Sequence, residues 1–273
     1  MSGALFKAWQ KFAGFNAAQR QFITQQARQR FLQGQRGSVL GKAWIVIQPL
    51  ATILVYTLVF SQVMQQRLSG RTDVYAYSLF LCAGLLPWQL FSEIMQKTQM
   101  SLLDHAHILR KTAVPLGAFP LIALQVALMN FAVIYALFLL WAFAFTNTSV
   151  LVLFTIMPSL ILLVVLAWVW GFALAIAHVF FRDVGQFLGL VLQFGFWMTP
   201  VVYPLNVVPS WLQGLLVWSN PMVVIIQTQQ QAFLGLEGPP WWQWLPYVVW
   251  LLVGCVFLRH VLSERADELV DVL

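Results

Sequence analysis

Charge is the scarcest feature of this sequence. Charged residues make up 9% of its 273 residues and hydrophobic residues 60%, whereas soluble globular domains carry about 25% charged residues. So few charges could not cover the surface of a folded domain in water, which excludes an ordinary soluble protein. The composition instead predicts an all-α polytopic membrane protein, since a helix satisfies its own backbone hydrogen bonds inside lipid.

Cysteine and the usual chemical motifs are also nearly absent. Cys82 and Cys255 both lie in apolar runs, which favours two small core residues over a disulfide. His105 and His107 form a His-x-His whose only neighbouring acid is Asp104, too few ligands for a metal site. No Gly-x-x-x-x-Gly-Lys-Ser/Thr loop is present. We therefore predict no catalytic residue, metal or cofactor on this chain, and we place any ATP and magnesium on a partner subunit.

Acidic residues are missing from the start of the chain, and the first is Asp73. Residues 1–42 hold seven Lys or Arg residues, and Ile23, Ala27 and Phe31 continue an apolar face at steps of four. Such a segment is typical of an amphipathic helix lying in the headgroup plane of an anionic leaflet. A solvated basic tail is the alternative. Binding to nucleic acid is disfavoured because the basic residues are spread out.

Six apolar stretches are long enough to cross a bilayer. The predicted spans cover about residues 43–64, 74–91, 116–145, 150–181, 184–201 and 244–262, between a cytoplasmic interface segment at 1–42 and a cytoplasmic tail at 263–273. The region at about 204–233 is apolar but broken by proline, which predicts re-entrant helices between spans five and six. Thirteen of the fifteen Lys and Arg residues fall on one side of this topology, which places both termini in the cytoplasm.

A charge pair, Arg182 and Asp183, begins the fifth span, and no charge follows it before Pro204. Pro200 lacks an N–H and clashes with the preceding turn, so we expect Thr199-Pro200 to end or kink the helix. The charge pair allows two interpretations: an interfacial pair that fixes the depth of the helix, or a contact with lipid phosphate. Two further residues beside the first span, Arg36 and Lys42, are candidates for the same phosphate contact.

No charged residue lies near the middle of any predicted span, which argues against a proton-coupled or ion-coupled carrier. His178, close to the end of the fourth span, fits a packing residue. Residues 92–115 form a polar cytoplasmic segment, and its part at 101–114 is amphipathic and ends at Pro115. This part is either a docking surface for a separate motor or an ordinary connecting loop.

Four stretches, in order along the chain, resemble one family. They are 40–50 with its Gln48-Pro49, 84–93 with its Pro87-Trp88, 108–115, and 181–204, and Asn220-Pro221 also fits. With them the chain is similar to the membrane subunit of type-two ABC exporters, in the branch that exports O-antigen and similar lipid-linked polysaccharides. Each motif is short, but the ordered set spans most of the chain.

The resemblance implies a homodimer in the inner membrane, two copies of a separate nucleotide-binding ATPase, and a lipid-linked polysaccharide as substrate. It also implies that the segment at 101–114 is a coupling helix and that the re-entrant pieces cap the outer exit. The implied coupling residues are Asp104, His105, His107, Arg110 and Lys111. One departure is the run Gln227–Gln231, which carries amides and a Thr where the family would carry an Arg. Any function of that Arg is therefore in doubt.

A polysaccharide is too long to be enclosed, so its export requires a continuous channel. Aromatic rings can stack on the apolar faces of sugars without fixing a register. The candidate channel-lining residues are Trp44, Tyr56, Phe194, Phe196, Trp197 and Tyr203. The alternative for each of them is a lipid-facing position or a place in an interfacial aromatic belt.

Two other functions stay open from the sequence. A permease of the same superfamily could export a small lipid or a drug through an aromatic, uncharged channel. A membrane-embedded transferase would need an acid–base pair at a water interface, and Asp104 with His105 and His107 is the clearest such cluster. The predicted function is the channel subunit of an ATP-driven polysaccharide exporter, with no enzymatic activity of its own.

Overall fold

The computed structural model describes residues 16–33, 41–44, 46–48, 50, 51, 55, 76–109, 114–146 and 148–265. Within these residues the secondary structure is helical and contains no β-strand, so the predicted all-α class is confirmed. The α-helices are α1 (Ala17–Gln33), α2 (Ala76–Met100), α3 (Ala106–Leu109), α4 (Ala118–Phe145), α5 (Val152–Phe180), α6 (Asp183–Met198), α7 (Ser210–Ser219), α8 (Met222–Leu234) and α9 (Trp244–Arg265). Short 3-10 turns lie at Gly41–Ala43, Leu103–His105, Leu205–Val207 and Trp241–Gln243.

Four of the described helical stretches are long and apolar enough to cross a membrane. They are α2, α4, α5 and Trp241–Glu264, which contains most of α9. The other two predicted spans differ from these. Most of 43–64 lies outside the described residues, and α6 has 16 residues, about 24 Å of helix against about 30 Å of hydrocarbon. The four long helices establish a multi-pass membrane protein.

Helix α2 runs nine residues past the predicted boundary at 91 and ends at Met100. Glu93 and Lys97, which the sequence pattern placed in a polar cytoplasmic segment, therefore belong to this helix. Their charged atoms are 2.6 Å apart at a spacing of one turn. A pair in this order stabilises a helix and cancels its own net charge, which is the physical reason why the helix continues.

Helix α2 lies at the centre of the bundle and packs against α4, α5, α6 and α8. Small residues permit its close contacts. A Cβ added at Gly171 of α5 would lie 3.0 Å from the Cβ of Thr98, and one added at Gly195 of α6 would lie 3.1 Å from the ring of Trp88. Close backbone approach of this kind is how helices associate in lipid, where burial of apolar surface gives little driving force.

A second apolar cluster anchors α1. Ile23 and Ala27 are buried against Leu102, Phe119 and Ile176, which come from three other parts of the chain. The apolar face that the sequence showed on α1 therefore packs against protein. The location of residues 1–42 at the membrane surface stays a prediction, and residues 1–15 and 34–40 lie outside the described residues.

The two cysteines differ in burial. Cys82 is buried in α2 and Cys255 is exposed on α9, so the prediction of two core residues is correct for Cys82 and wrong for Cys255. The reason lies in α9, whose apolar side chains such as Leu252 and Val256 are also exposed. An exposed apolar helix surface is what lipid contact requires, and an apolar run in the sequence does not distinguish lipid from core.

Candidate functional site

The helix break after α6 is held by side chains. Helix α6 ends at Met198, as the Thr199-Pro200 motif predicted. The hydroxyl of Thr199 donates to the carbonyl of Gly195 at 2.7 Å and accepts from the amide of Asn220 at 2.6 Å. The Nε2 of Gln230 donates to the carbonyl oxygens of Pro200 and Val201, at 3.0 and 3.1 Å. These bonds satisfy backbone groups that the break would otherwise leave unpaired away from water.

The amide-rich part of α8 forms a buried hydrogen-bonded network. The Oε1 of Gln229 accepts from the hydroxyl of Tyr135 at 3.0 Å. Its Nε2 donates to the hydroxyl of Ser159 at 2.7 Å and to the carbonyl of Ile156 at 3.0 Å. The run that departed from the family pattern thus binds α8 to α4 and α5, and it has a structural use here that does not need an Arg.

Gly84 of α2 makes room for this network. A Cβ added at this position would lie 2.6 Å from the Nε2 of Gln230 and 3.1 Å from the carbonyl oxygen of Val201. Any side chain at position 84 would therefore displace the amide that holds the break. The stretch around Gly84 and Pro87-Trp88, which carries part of the family resemblance, has a packing role that the motif alone did not show.

The predicted channel aromatics do not all face the same way. Phe194 and Trp197 are 64% and 51% exposed, and they share an open face of α6 with Phe187 and Leu190. Phe196 is turned inward instead, with its ring centroid 6.1 Å from that of Trp88. The hydroxyl of Tyr203 donates to the carbonyl of Trp197 at 2.8 Å, and Trp44 is exposed. Tyr56 lies outside the described residues.

The predicted coupling segment contains one buried and one exposed histidine. His105 donates from Nδ1 to the carbonyl of Ser101 at 2.6 Å, and its ring lies 4.6 Å from that of Phe119. Burial lowers the pKa of His105, and the positive charge of Arg30 adds to this effect. Asp104 and His107 are exposed, while Arg110 and Lys111 lie outside the described residues. His105 therefore holds the fold of the segment, and Asp104 and His107 remain open to a partner.

The acid–base cluster that a transferase would need does not assemble in this segment. Asp104 and His107 point outward while the ring of His105 is buried. Among the described residues, no group of three or more His, Cys, Asp or Glu side chains lies close enough to hold a metal ion.

Arg182 and Asp183 lie at the turn between α5 and α6, and both are exposed. The adjacent ring of Phe181 is 67% exposed. Exposure leaves the charge pair free to reach headgroups or a ligand, which fits both interpretations of it. Arg36 and the side chain of Lys42 lie outside the described residues, so a shared phosphate contact of the three residues stays a prediction.

Two sets of residues were missed by the sequence reasoning. At the far end of α2, the Nε2 of Gln99 and the Nδ1 of His178 are buried without a hydrogen-bond partner among the described residues. Both lie against Gly185, where an added Cβ would be 2.9 Å from the His178 ring and 3.2 Å from Gln99 Nε2. The second set is Glu93 and Lys97 with Asn130. The sequence contained a signal for this set, since the helical periodicity of α2 continues past residue 91.

These features define a multi-pass helical membrane protein with a hydrogen-bonded helix break and an open aromatic helix face. Residues 21–234 match the ABC-2 type transporter family. The match covers most of the chain, and the protein belongs to that family.

Named relatives are similar over most of their own length. The O-antigen export system permease protein RfbA of Klebsiella pneumoniae is 27% identical over 216 residues, covering 73% of this chain and 75% of the relative. The protein of the same name from Myxococcus xanthus is 31% identical over 201 residues, with coverages of 72% and 74%. The polysialic acid transport protein KpsM of Escherichia coli is 24% identical over 201 residues, with coverages of 71% and 74%. The resemblance inferred from the sequence motifs is confirmed.

Proposed function

We propose that this protein is the permease subunit of an ATP-driven exporter that moves a lipid-linked polysaccharide out of the cytoplasm. The observation that carries the proposal is membership of the ABC-2 type transporter family together with relatives that are named as O-antigen export permeases. The exposed aromatic face of α6 supports the same function, because it offers stacking surfaces to sugar rings.

The complete transporter is a homodimer in the inner membrane with two copies of a separate ATPase. Each subunit has six spans, with 43–64 and α6 completing the four long helices, and both termini are cytoplasmic. The exposed side of the segment at 101–109, with Asp104 and His107, contacts the ATPase. Helices α7 and α8 form the re-entrant cap on the outer side. The buried hydrogen bonds of α8 support this arrangement, because backbone breaks at membrane depth need such partners.

The first test is purification of the protein from its native membranes, followed by identification of the chains that accompany it. We expect an ATPase subunit in equal amount, and export of glycan that stops when ATP hydrolysis is blocked. A protein that purifies without any nucleotide-hydrolysing partner would overturn the proposal and return attention to a passive channel or an enzyme.

The channel role of the aromatics has its own test. Phe194→Ala and Trp197→Ala each remove a ring from the open face of α6, and we expect about a tenfold fall in export per ring, since one stacking contact contributes about 1–3 kcal/mol. Phe154→Ala is the matched control, because Phe154 is 80% exposed on a different helix. Equal export by all three variants would end the stacking hypothesis. The phosphate role of Arg182 is tested in the same assay by Arg182→Gln, combined with removal of the charges at Arg36 and Lys42.

A further inference from the structure

An ion pair lies inside one of the long membrane helices. The Oε1 of Glu93 accepts from the amide of Asn130 on α4 at 2.5 Å and lies 2.6 Å from the Nζ of Lys97. Glu93 lies seven residues before the end of α2 at Met100, about 10 Å along the axis. Ionisable groups within a membrane helix are costly, and where they occur they face a partner or a water-filled passage.

The contact with Asn130 fixes the depth of this pair. Helix α4 has 28 residues, about 42 Å in length, and Asn130 lies twelve residues after its start, about 18 Å along the axis. For any placement of a hydrocarbon layer of about 30 Å within α4, Asn130 lies inside that layer, about 6–15 Å from its nearer face. Glu93 is therefore within the membrane and is not a residue of a cytoplasmic loop.

The pair belongs to a polar face of α2. Gln89, Glu93 and Gln96 follow one another at spacings of four and three residues, so they lie on one side of the helix. Gln96 is exposed, and the side chains of Glu93 and Lys97 are 27% and 38% exposed. Trp88 and Gln99 contact α6, and Glu93 contacts α4. The polar face lies between these two contact surfaces.

The chemistry of this face selects among ligands. The hydrogen bonds of Glu93 among the described residues all go to Oε1, so Oε2 remains able to accept a hydrogen bond from a hydroxyl group. Each glutamine offers a donor and an acceptor. Lys97 is neutralised by Glu93, so the face carries no net charge that would retain a phosphate or a cation. A neutral, hydroxyl-rich ligand fits these groups best, and the turns of the helix repeat about every 5.4 Å, close to the length of one sugar ring.

We propose that Gln89, Glu93 and Gln96 form a hydroxyl-binding face of the export passage, on which the sugar rings of the glycan exchange hydrogen bonds as they advance. Asn130 and Lys97 are positioning residues that hold the Glu93 carboxylate. The face complements the aromatics of α6: stacking takes the apolar faces of the sugars, and α2 takes their hydroxyl edges. This inference rests on the proposed function and adds the groups that recognise the substrate.

Thiol labelling in native membrane vesicles tests whether the face is wet. Gln89→Cys and Gln96→Cys are introduced separately into the full chain carrying Cys82→Ala and Cys255→Ser, and each is treated with a charged, membrane-impermeant thiol reagent. Val165→Cys is the control, since Val165 is exposed on α5 at membrane depth. We expect labelling at 89 and 96 about tenfold faster than at 165, because charged reagents do not enter lipid. Equal rates at the three positions would show that lipid or protein covers the face, and would overturn the proposal.

Glycan protection identifies the occupant. Export is stalled with an ATPase variant that binds but does not hydrolyse ATP, and labelling is compared between cells that make the glycan and cells that do not. We expect the glycan to slow labelling at 89 and 96 severalfold and to leave position 165 unchanged. Labelling that is indifferent to the glycan would show a water path without a sugar site, and would overturn the assignment.

Two substitutions at Glu93 separate hydrogen bonding from charge. Both substitutions leave Lys97 without its counter-ion, but only Glu93→Gln keeps an acceptor for hydroxyl groups. We therefore expect about tenfold more export from Glu93→Gln than from Glu93→Leu, the equivalent of one hydrogen bond. Both variants should keep the ATPase activity of the assembled complex. An equal loss in both would assign Glu93 to an ion pair that serves stability alone. Unmodified protein that exports no glycan would instead overturn the proposed function itself, so the two failures are distinguishable.

Discussion

Two pairs of buried polar side chains, at opposite ends of the helix bundle, differ in their hydrogen bonding. At the end that our topology places outside, Gln229 and Gln230 use their amides to bond α8 to the helix break and to the neighbouring helices. At the opposite end, Gln99 and His178 are just as deeply buried, yet the Nε2 of one and the Nδ1 of the other have no partner among the described residues. The hydrogen bonds of Gln229 and Gln230 fix one arrangement, even though the Oε1 atoms of Gln227 and Gln231 on the same helix are buried without a partner among the described residues. Gln99 and His178 have no such bonds at their buried nitrogens, which leaves a second arrangement within reach.

This difference indicates that the two ends of the bundle have different roles. The outer end is a fixed frame for the break between α6 and α7. At the inner end, the last turn of α2 packs against the first turn of α6. The last turn of α2 also leads into the segment at 101–109, so a docked ATPase would need to move this contact.

The largest effect is expected from Gly84→Val. Its side chain would displace Gln230 and release the carbonyl groups of Pro200 and Val201, each costing about 1–3 kcal/mol when buried without a partner. We expect a loss of about 3 kcal/mol or more in the free energy of unfolding, measured by thermal unfolding in detergent. Gly189→Val is the control, because nothing lies within 4 Å of a Cβ at that position. A similar unfolding temperature for both variants would contradict the locked frame.

A contrast between two glutamines of α8 comes next. Gln229→Leu removes three hydrogen bonds and leaves the hydroxyl of Tyr135 without its acceptor, so we expect a loss of about 1–2 kcal/mol. Gln227→Leu should be neutral or slightly stabilising, because the Oε1 of Gln227 is already buried without a partner. Both variants are compared in the same unfolding assay. If Gln227→Leu were the more damaging of the two, the network described above would not be the source of stability.

At the inner end, Gly185→Ala introduces a methyl group 2.9 Å from the ring of His178. We expect a smaller loss of stability, about 1 kcal/mol, and a severalfold fall in export with ATP hydrolysis retained, since the joint between α2, α5 and α6 is altered. The double variant Gly185→Ala/His178→Ala should recover part of the export, because the methyl group then has space. Purely additive losses in the double variant would show that the two residues do not interact.

The smallest effect concerns pH and the two histidines of the segment at 101–109. Burial lowers the pKa of His105 in the folded state, so the folded state binds fewer protons than the unfolded state just below the unfolded value of about 6.5. Stability is therefore fully present above about pH 6.5 and is lost as pH falls through the lower, folded pKa. Arg30, Asp104 and His107 are the charged or titratable groups that act on His105.

Hydrogen exchange of residues 101–109 measures this effect. We expect exchange, corrected for its intrinsic pH dependence, to speed up below about pH 6.5 in the unmodified protein. His105→Leu should remove the dependence and His107→Ala should leave it intact. A pH dependence that disappears with His107→Ala would show that His107, and not His105, is the group that titrates.

Much of the candidate site follows from the sequence. Thr199-Pro200 predicted the end of α6 because proline cannot continue the helix, and the sparse charge predicted membrane helices because lipid excludes charge. The polar residues after 91 do not mark the end of the helix, which continues to Met100. Glu93 and Lys97 neutralise each other one turn apart and stay in the helix.

The sequence by itself determined the class of this protein, its long apolar helices and its family, since composition, periodicity and motif order are properties of the chain alone. Only the tertiary structure decided which of several similar side chains are buried in contacts and which are exposed. Phe194 faces outward and Phe196 inward, His105 is buried and His107 exposed, and Glu93 meets Asn130 across a separation of 37 residues. The physical reason is that burial and hydrogen bonding depend on contacts between distant parts of the chain, which local pattern does not contain.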